Sequence, residues 1–366
     1  MTSATSEGLL QRAQQLNPDL AERLVSWQRQ QGRHHLPWQQ TRDPYRVWLS
    51  EIMLQQTQVT TVLGYYDRFL VRFPCVLDLA NAELDEVLTL WSGLGYYSRA
   101  RNLHRCAQAV RDLHGGRFPD TAAALEALPG IGPSTSAAIA AFCFGERISI
   151  MDGNVKRVLS RVLAWGEDLS IKAHERSLSQ AAALLLPAQA ADMPSYTQGL
   201  MDLGATLCTP RKPSCLVCPW SDLCEGRRQG EPERLPVKSA KLKRSQRESW
   251  CLWLQHGSDV WLVQRPHSGI WSGLWTLPMF DSPERLRDAH PGPTEMQPPV
   301  THVLTHLDWR LHLERATSGA ADPRPDTRSL LHCLSEPSLG EGRWWPLDQL
   351  DRVGLPKPFQ RWLSAD

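Results

Sequence analysis

The sequence predicts two domains of different class, an all-helical one followed by an α+β one. Three observations carry that prediction. Apolar residues recur at helical spacing through residues 8–226. Residues 231–247 form a proline-bearing, basic, poorly periodic segment. Beyond it, short strand-like runs and turn signals replace the helical period. The expected boundaries are a helical domain over 8–230, a linker over 231–247 and an α+β domain over 248–366.

In chain order, helical spacing shows in Val47-Trp48-Ile52, Val59-Leu63, Leu84-Val87-Leu88-Trp91 and Ile139-Phe142. Helix starts are expected at Asp43-Pro44, Asn81, Asp120 and Ser134, with a small-residue helix running from Ser134 to Phe144 and a last helix from Tyr196 to Leu207. In the linker, Lys238, Lys241, Lys243, Arg244 and Arg247 could approach phosphates. Trp250–Leu254 and Val260–Val263 read as two strands joined by a Gly257-Ser258-Asp259 turn. Trp275–Pro278 and Leu311–Leu313 continue the mixed pattern, and 282–300 and 315–328 read as loops.

At 366 residues the chain can bury a core in each half. A net charge of +1, close to neutral in both halves, gives no compositional support for nucleic-acid binding, which would need a local basic face or backbone N–H groups. The N-terminal stretch lacks a signal-peptide pattern and no apolar run approaches the ~20 residues that span a bilayer, so a cytoplasmic protein without a membrane partner is expected. Nine cysteines, four of them between 208 and 224, fit metal binding in a reducing compartment better than disulfides. Cys75, Cys106, Cys143, Cys251 and Cys333 lie singly in apolar contexts and read as core residues.

Two local patterns carry chemistry. In Leu128-Pro129-Gly130-Ile131-Gly132, proline should end a helix and the glycines permit close approach, so the next helix would begin with N–H groups free for a phosphate. Twenty residues past Gly132, Asp152 stands at another helix start, where it could simply be an N-cap. Cys208-x6-Cys215-x2-Cys218-x5-Cys224 gathers four soft ligands, suited to zinc or an iron–sulfur cluster, which spacing alone does not separate.

The hairpin, the Asp152-Gly153-Asn154-Val155-Lys156-Arg157 run and the cysteine spacing resemble the helix-hairpin-helix superfamily of DNA glycosylases. Leu36-Pro37-Trp38, the run from Val47 to Val59 and Gly93–Arg99 narrow the likeness to adenine DNA glycosylases. The resemblance covers nearly the whole chain. It implies a helical glycosylase domain with a 4Fe–4S loop, followed by a Nudix-like domain matched best by Ser268–Trp275. The glutamate-rich signature of Nudix hydrolases is absent there, so recognition and not pyrophosphate cleavage is expected. The implied reaction is removal of adenine mispaired with 8-oxoguanine or guanine in double-stranded DNA. The enzyme would act as a monomer in the bacterial cytoplasm, on the nucleoid.

Breaking an N-glycosidic bond calls for a proton donor at the base and a fixed anion at the sugar. Glu51, flanked by Trp48, Leu49, Ile52 and Met53, suits the donor, because desolvation would keep it protonated. By resemblance, Asp152 stabilises the oxocarbenium ion and Asn154 orients the site. Gln55 is the wedge that fills the gap left by a flipped adenine, and Tyr96 stacks beside 8-oxoguanine. Trp38 and Gln198 wall the adenine pocket. Gly130, Gly132 and Ser134 meet the DNA backbone, and Lys156 is expected on a phosphate. Cys208, Cys215, Cys218 and Cys224 hold the cluster. Strand-cutting relatives carry a Schiff-base lysine where Ser134 stands, so the resemblance implies base excision without strand cleavage. Leu304-Thr305-His306 matches an 8-oxoguanine-reading loop whose aromatic is here leucine. His302 and His306 could equally be ordinary strand histidines.

Overall fold

The computed structural model describes residues 5–17, 19–239, 244–266, 268–317 and 342–364. Lys241, Lys243, Cys333 and the expected loop beyond residue 317 lie outside them. The chain divides into two compact units, one of 1–58, 75–77 and 105–241, the other of 59–74, 78–104 and 242–366.

The first unit is helical. Helices α1 (Ser6–Leu16), α2 (Asp19–Gln31) and α3 (Pro44–Leu54) are followed, after residues of the second unit, by α8 (Ala122–Glu126), α9 (Pro133–Ile139), α10 (Gly153–Val162), α11 (Lys172–Leu184), α12 (Met193–Thr206) and α13 (Glu225–Arg228). Asp43 caps α3 by accepting from the Tyr45 amide at 3.0 Å, with Pro44 at the first helical position, as the sequence predicts. Thr121, not Asp120, caps α8, and α6 (Leu84–Leu90) starts after Glu83 rather than at Asn81, which ends α5 (Val76–Asn81). The expected helix from Ser134 to Phe144 is α only as far as Ile139. Ala140–Phe144 form a π turn that ends at Gly145 in the left-handed region. Alanines at 137, 138, 140 and 141 are all fully buried, so close packing fixes this segment where regular hydrogen bonding does not. Gly199 shows the same economy of size: a Cβ there would meet Leu24 at 2.8 Å where α12 crosses α2.

The second unit joins helices α4 (Val59–Arg72), α6 and the start of α7 (Ser98–His114) with a mixed domain. One sheet has the order β5 (Met279–Phe280), β1 (Ser245–Trp253), β7 (Leu307–Ala316), β6 (Thr294–Val303). The other pairs β3 (Asp259–Gln264) with β2 (Gln255–His256), β4 (Trp275–Thr276) and β8 (Gly342–Pro346). The expected hairpin is therefore β2–β3, while β1 runs parallel to β7 in the other sheet. The segment 282–300, expected as loop, contains α14 (Pro283–Ala289) and β6. Its prolines disguise the strand: Pro298 and Pro299 cannot donate to a ladder, and pairing with β7 jumps from Gln297 to Val300. The last helix, α15 (Lys357–Leu363), brings Phe359 edge-on to Trp271, which also stacks on the buried Trp309 at 4.6 Å.

Cys106 and Cys251 are buried as expected. Cys75 is exposed and Cys143 half-buried, because Cys75 stands in the turn after Pro74 and Cys143 inside the π turn. Among the described residues, no helix is long and apolar enough to cross a membrane.

Candidate active site and cluster loop

Glu51 lies on α3, whose other faces bury Val47, Trp48, Leu49, Ile52 and Met53. Burial pushes its carboxyl from 4.5 up to about 8, and the negative charge of Asp152 adds to that shift. The acid is held protonated near neutrality, as its sequence context predicts. Asp152 is the N-cap of α10 and accepts from the Val155 amide at 2.7 Å. Capping and a second role are compatible, since the cap fixes the carboxylate beside Glu51.

Asn154, in the first turn of α10, accepts at its Oδ1 from the Arg157 guanidinium at 2.8 Å. The same guanidinium donates to the carbonyls of Gly204 and Cys208. One turn further on, the buried Arg161 donates to the carbonyls of Cys208, Thr209, Pro210 and Leu235, and to the Cys208 Sγ at 3.3 Å. A single helix thus carries Asp152 and Asn154 at its start and two arginines that grip the first cysteine further along. Neither arginine was singled out from the sequence; their spacing from Asp152 on one helix was the available signal.

Cys215, Cys218 and Cys224 are each raised chiefly by burial, and each also feels the charge of Cys208; Cys218 reaches about 12. The four thiols are mutually close, with Arg161 and Arg227 lowering Cys215. Gly226 sits so tightly that an added Cβ would meet the Arg161 carbonyl oxygen at 2.6 Å. Four thiols gathered beside fixed cations fit a thiolate-bound cluster, whose binding would displace their protons.

Other expected site residues are placed as follows. Gln55 follows the end of α3, exposed, its amide 3.4 Å from the Thr135 hydroxyl. Gly130 is left-handed and Gly132 caps α9 without a side chain, leaving its first turn uncapped. Ser134 lines a cavity of about 500 Å³ with Arg147, Lys172, Glu175 and Arg176. Lys156, expected on a phosphate, is ion-paired with Glu175 on α11. Trp38 is buried in a short 3-10 turn, Pro37–Gln39. Gln198, on α12, donates to the fully buried Asp202 at 2.9 Å. Asp202 also takes Arg33 through its backbone amide and guanidinium, a network the sequence reading missed because its partners stand 169 positions apart.

In the second unit, Tyr96 and Thr305 come together. Tyr96 is 44 % exposed in the left-handed region, and its hydroxyl hydrogen-bonds the Thr305 hydroxyl. The Arg99 guanidinium, lowered to about 10 by burial, lies over the Tyr96 and Trp91 rings. Thr305 and His306 occupy the exposed turn closed by the Leu304 amide on the Leu307 carbonyl, and the His306 carbonyl accepts from Ser245 of β1. His306 is therefore a turn residue, whereas His302 lies within β6 against Trp271.

Fold and site define the class, and comparisons agree with it. Residues 49–183 match the HhH-GPD superfamily of base excision DNA repair proteins. Residues 208–224 match the iron–sulfur binding domain of endonuclease III, and 249–365 match the NUDIX domain. A solved thermostable thymine-DNA glycosylase superposes with a TM-score of 0.52 at 29% identity, over 60% of this chain and 98% of its own. The adenine DNA glycosylase of Buchnera aphidicola subsp. Schizaphis graminum is 35% identical over 360 residues, 93% of this chain and 96% of its own length. That of Buchnera aphidicola subsp. Acyrthosiphon pisum is 37% identical over 71% of this chain and 74% of its own length. The human adenine DNA glycosylase is 38% identical over 70% of this chain and 56% of its own length. The chain belongs to the adenine DNA glycosylase family, N-glycosyl hydrolases of base excision repair that carry an iron–sulfur cluster.

Proposed function

We propose that the enzyme removes adenine mispaired with 8-oxoguanine or guanine in double-stranded DNA, acting as a monomer in the cytoplasm. The observation that carries the chemistry is Glu51, protonated near neutrality beside the fixed carboxylate of Asp152. A flipped adenine, accommodated near Trp38 and Gln198, receives the Glu51 proton as its glycosidic bond lengthens. Asp152 meets the positive charge that develops on the sugar, and Glu51, now ionised, accepts a proton from the attacking water. Asn154, tied to Arg157, keeps the start of α10 in register.

Gln55 enters the duplex where the adenine has left, and Gly130, Gly132 and Ser134 carry the backbone that meets the phosphates. Lys156, paired with Glu175 in the structure, meets a phosphate of the bound duplex. Tyr96, Thr305 and His306 read the opposite base; the Tyr96–Thr305 hydrogen bond supports their acting together. Cys208, Cys215, Cys218 and Cys224 hold the 4Fe–4S cluster, which ties the loop into one body. Ser134 has no amine to attack the sugar, so the product is an intact strand with an abasic site.

A single-turnover assay on duplexes with adenine opposite 8-oxoguanine, guanine or thymine tests this reading. Release from the first two without strand scission is expected. No release from any of them, or a borohydride-trapped complex with stoichiometric cleavage, refutes it.

A further inference from the structure

A buried guanidinium is normally satisfied, as Arg161 is by the carbonyls around it. Arg265, half-buried just after β3, is not. Its amide donates to the Leu274 carbonyl at 2.8 Å and its carbonyl accepts from the Gly273 amide at 3.2 Å, so the backbone holds the side chain in place. The Arg265 Nε is buried without a hydrogen-bond partner, and no carboxylate among the described residues pairs with the guanidinium. Burial lowers its pKa, and the nearby charge of Arg247 lowers it further. Cys251 is fully buried, and burial keeps its thiol protonated, so it supplies no counter-charge. Arg247 is exposed on β1, opposite Trp309 of β7, and its guanidinium lies over that buried ring at 4.6 Å. Two cations are thus held close together, one half-buried and one open to solvent, with no acid between them. Such an arrangement costs stability that a bound anion would return.

We propose that Arg265 and Arg247 form an anion site in the mixed domain that takes a phosphate group. A carboxylate has oxygens for one guanidinium fork, whereas a phosphate has oxygens and charge for both. Arg247 meets the incoming group from solvent, and Arg265 receives it at the half-buried end. Free pyrophosphate and a strand phosphate of DNA both present this chemistry.

The test titrates the cluster-loaded enzyme with inorganic pyrophosphate at constant ionic strength, by calorimetry and thermal melting, with cluster absorbance followed throughout. The wild type is compared with Arg265→Met, Arg247→Gln and Arg285→Gln; Arg285, exposed on α14, controls for the loss of one charge. Saturable binding that raises the melting temperature is expected in the wild type. Arg265→Met and Arg247→Gln should each raise the Kd about tenfold or more, while Arg285→Gln leaves it unchanged. Without pyrophosphate, Arg265→Met should melt above the wild type, because methionine keeps the apolar stem and buries no charge. Arg247 is exposed, so Arg247→Gln decides the matter even where Arg265→Met fails to fold. No saturable binding to the wild type, an unchanged Kd in Arg247→Gln, or an equal loss in Arg285→Gln overturns the site. Duplex DNA separates the two sources. Pyrophosphate that competes with duplex, together with a duplex affinity lowered about tenfold in Arg247→Gln, assigns the site to a strand phosphate. Simultaneous binding of both assigns it to a free phosphate, and either result upholds the site.

Discussion

Replacing Glu51 with glutamine should stabilise the protein at neutral pH while abolishing adenine release. Below about 4.5 both the folded and unfolded chains keep the Glu51 proton. Between 4.5 and about 8 the folded chain keeps it while the unfolded chain has released it, so the folded state binds more protons and stability falls as pH rises. Above about 8 the loss is complete. The displacement from 4.5 to about 8, at about 1.4 kcal/mol per pH unit, sets the full loss at about 5 kcal/mol. Roughly 3 kcal/mol of it is already incurred at pH 7. Glutamine keeps the shape without the ionisation and escapes that loss. Melting curves for wild type and Glu51→Gln from pH 5 to 9 should nearly coincide at the acid end. They should diverge toward pH 8, the variant melting several degrees higher at pH 7. Parallel pH profiles would refute the argument, because the folded and unfolded acids would then titrate alike. The substituted enzyme should still bind mispaired duplex, so catalysis and stability pull in opposite directions at one side chain.

Arg161→Met leaves the carbonyls of Thr209, Pro210 and Leu235 without their donor and should cost about 3–5 kcal/mol, with iron content falling well below that of the wild type; full iron loading and an unchanged melt would exclude it. Gly226→Ala forces a methyl to within 2.6 Å of the Arg161 carbonyl and should lower stability by about 1–3 kcal/mol in urea titrations, with m unchanged. Thr305→Val removes the partner of the Tyr96 hydroxyl, so the rate advantage of adenine opposite 8-oxoguanine over adenine opposite guanine should shrink about fivefold. Equal losses on both duplexes would assign Thr305 no part in reading the opposite base.

The parts of this molecule legible in sequence are those fixed over a few residues. Asp43 and Asp152 are caps, Pro-Gly-Ile-Gly makes its turn, and the apolar neighbours of Glu51 foretell its protonation. What escaped was set by partners distant in the chain. Arg33 finds Asp202, Arg161 finds the backbone from Cys208 to Pro210, and β1 finds β7 across more than fifty residues. Pro298 and Pro299 hid a strand because strandedness there depends on which edge the ladder needs. The ion-pair partner of Lys156, Glu175, likewise stands 19 residues away, on the next helix. Local chemistry announces itself; pairing at a distance does not.

The second unit borrows helices from the first half of the chain, and this determines where the protein can be divided. Ser92 donates to the Leu355 carbonyl at 2.9 Å and receives the Gln360 amide at 2.6 Å. Arg101 donates to the Ser272 carbonyl, and Gly354 packs against Leu88. A cut at residue 248, although it falls between the two sequence families, would strip the mixed domain of these helices and uncover the surface of α6 that Gly354 occupies. The boundary drawn by ancestry and the boundary drawn by contact are different lines. A fragment intended to fold alone must respect the second, so the NUDIX-like domain is not a detachable module of this enzyme.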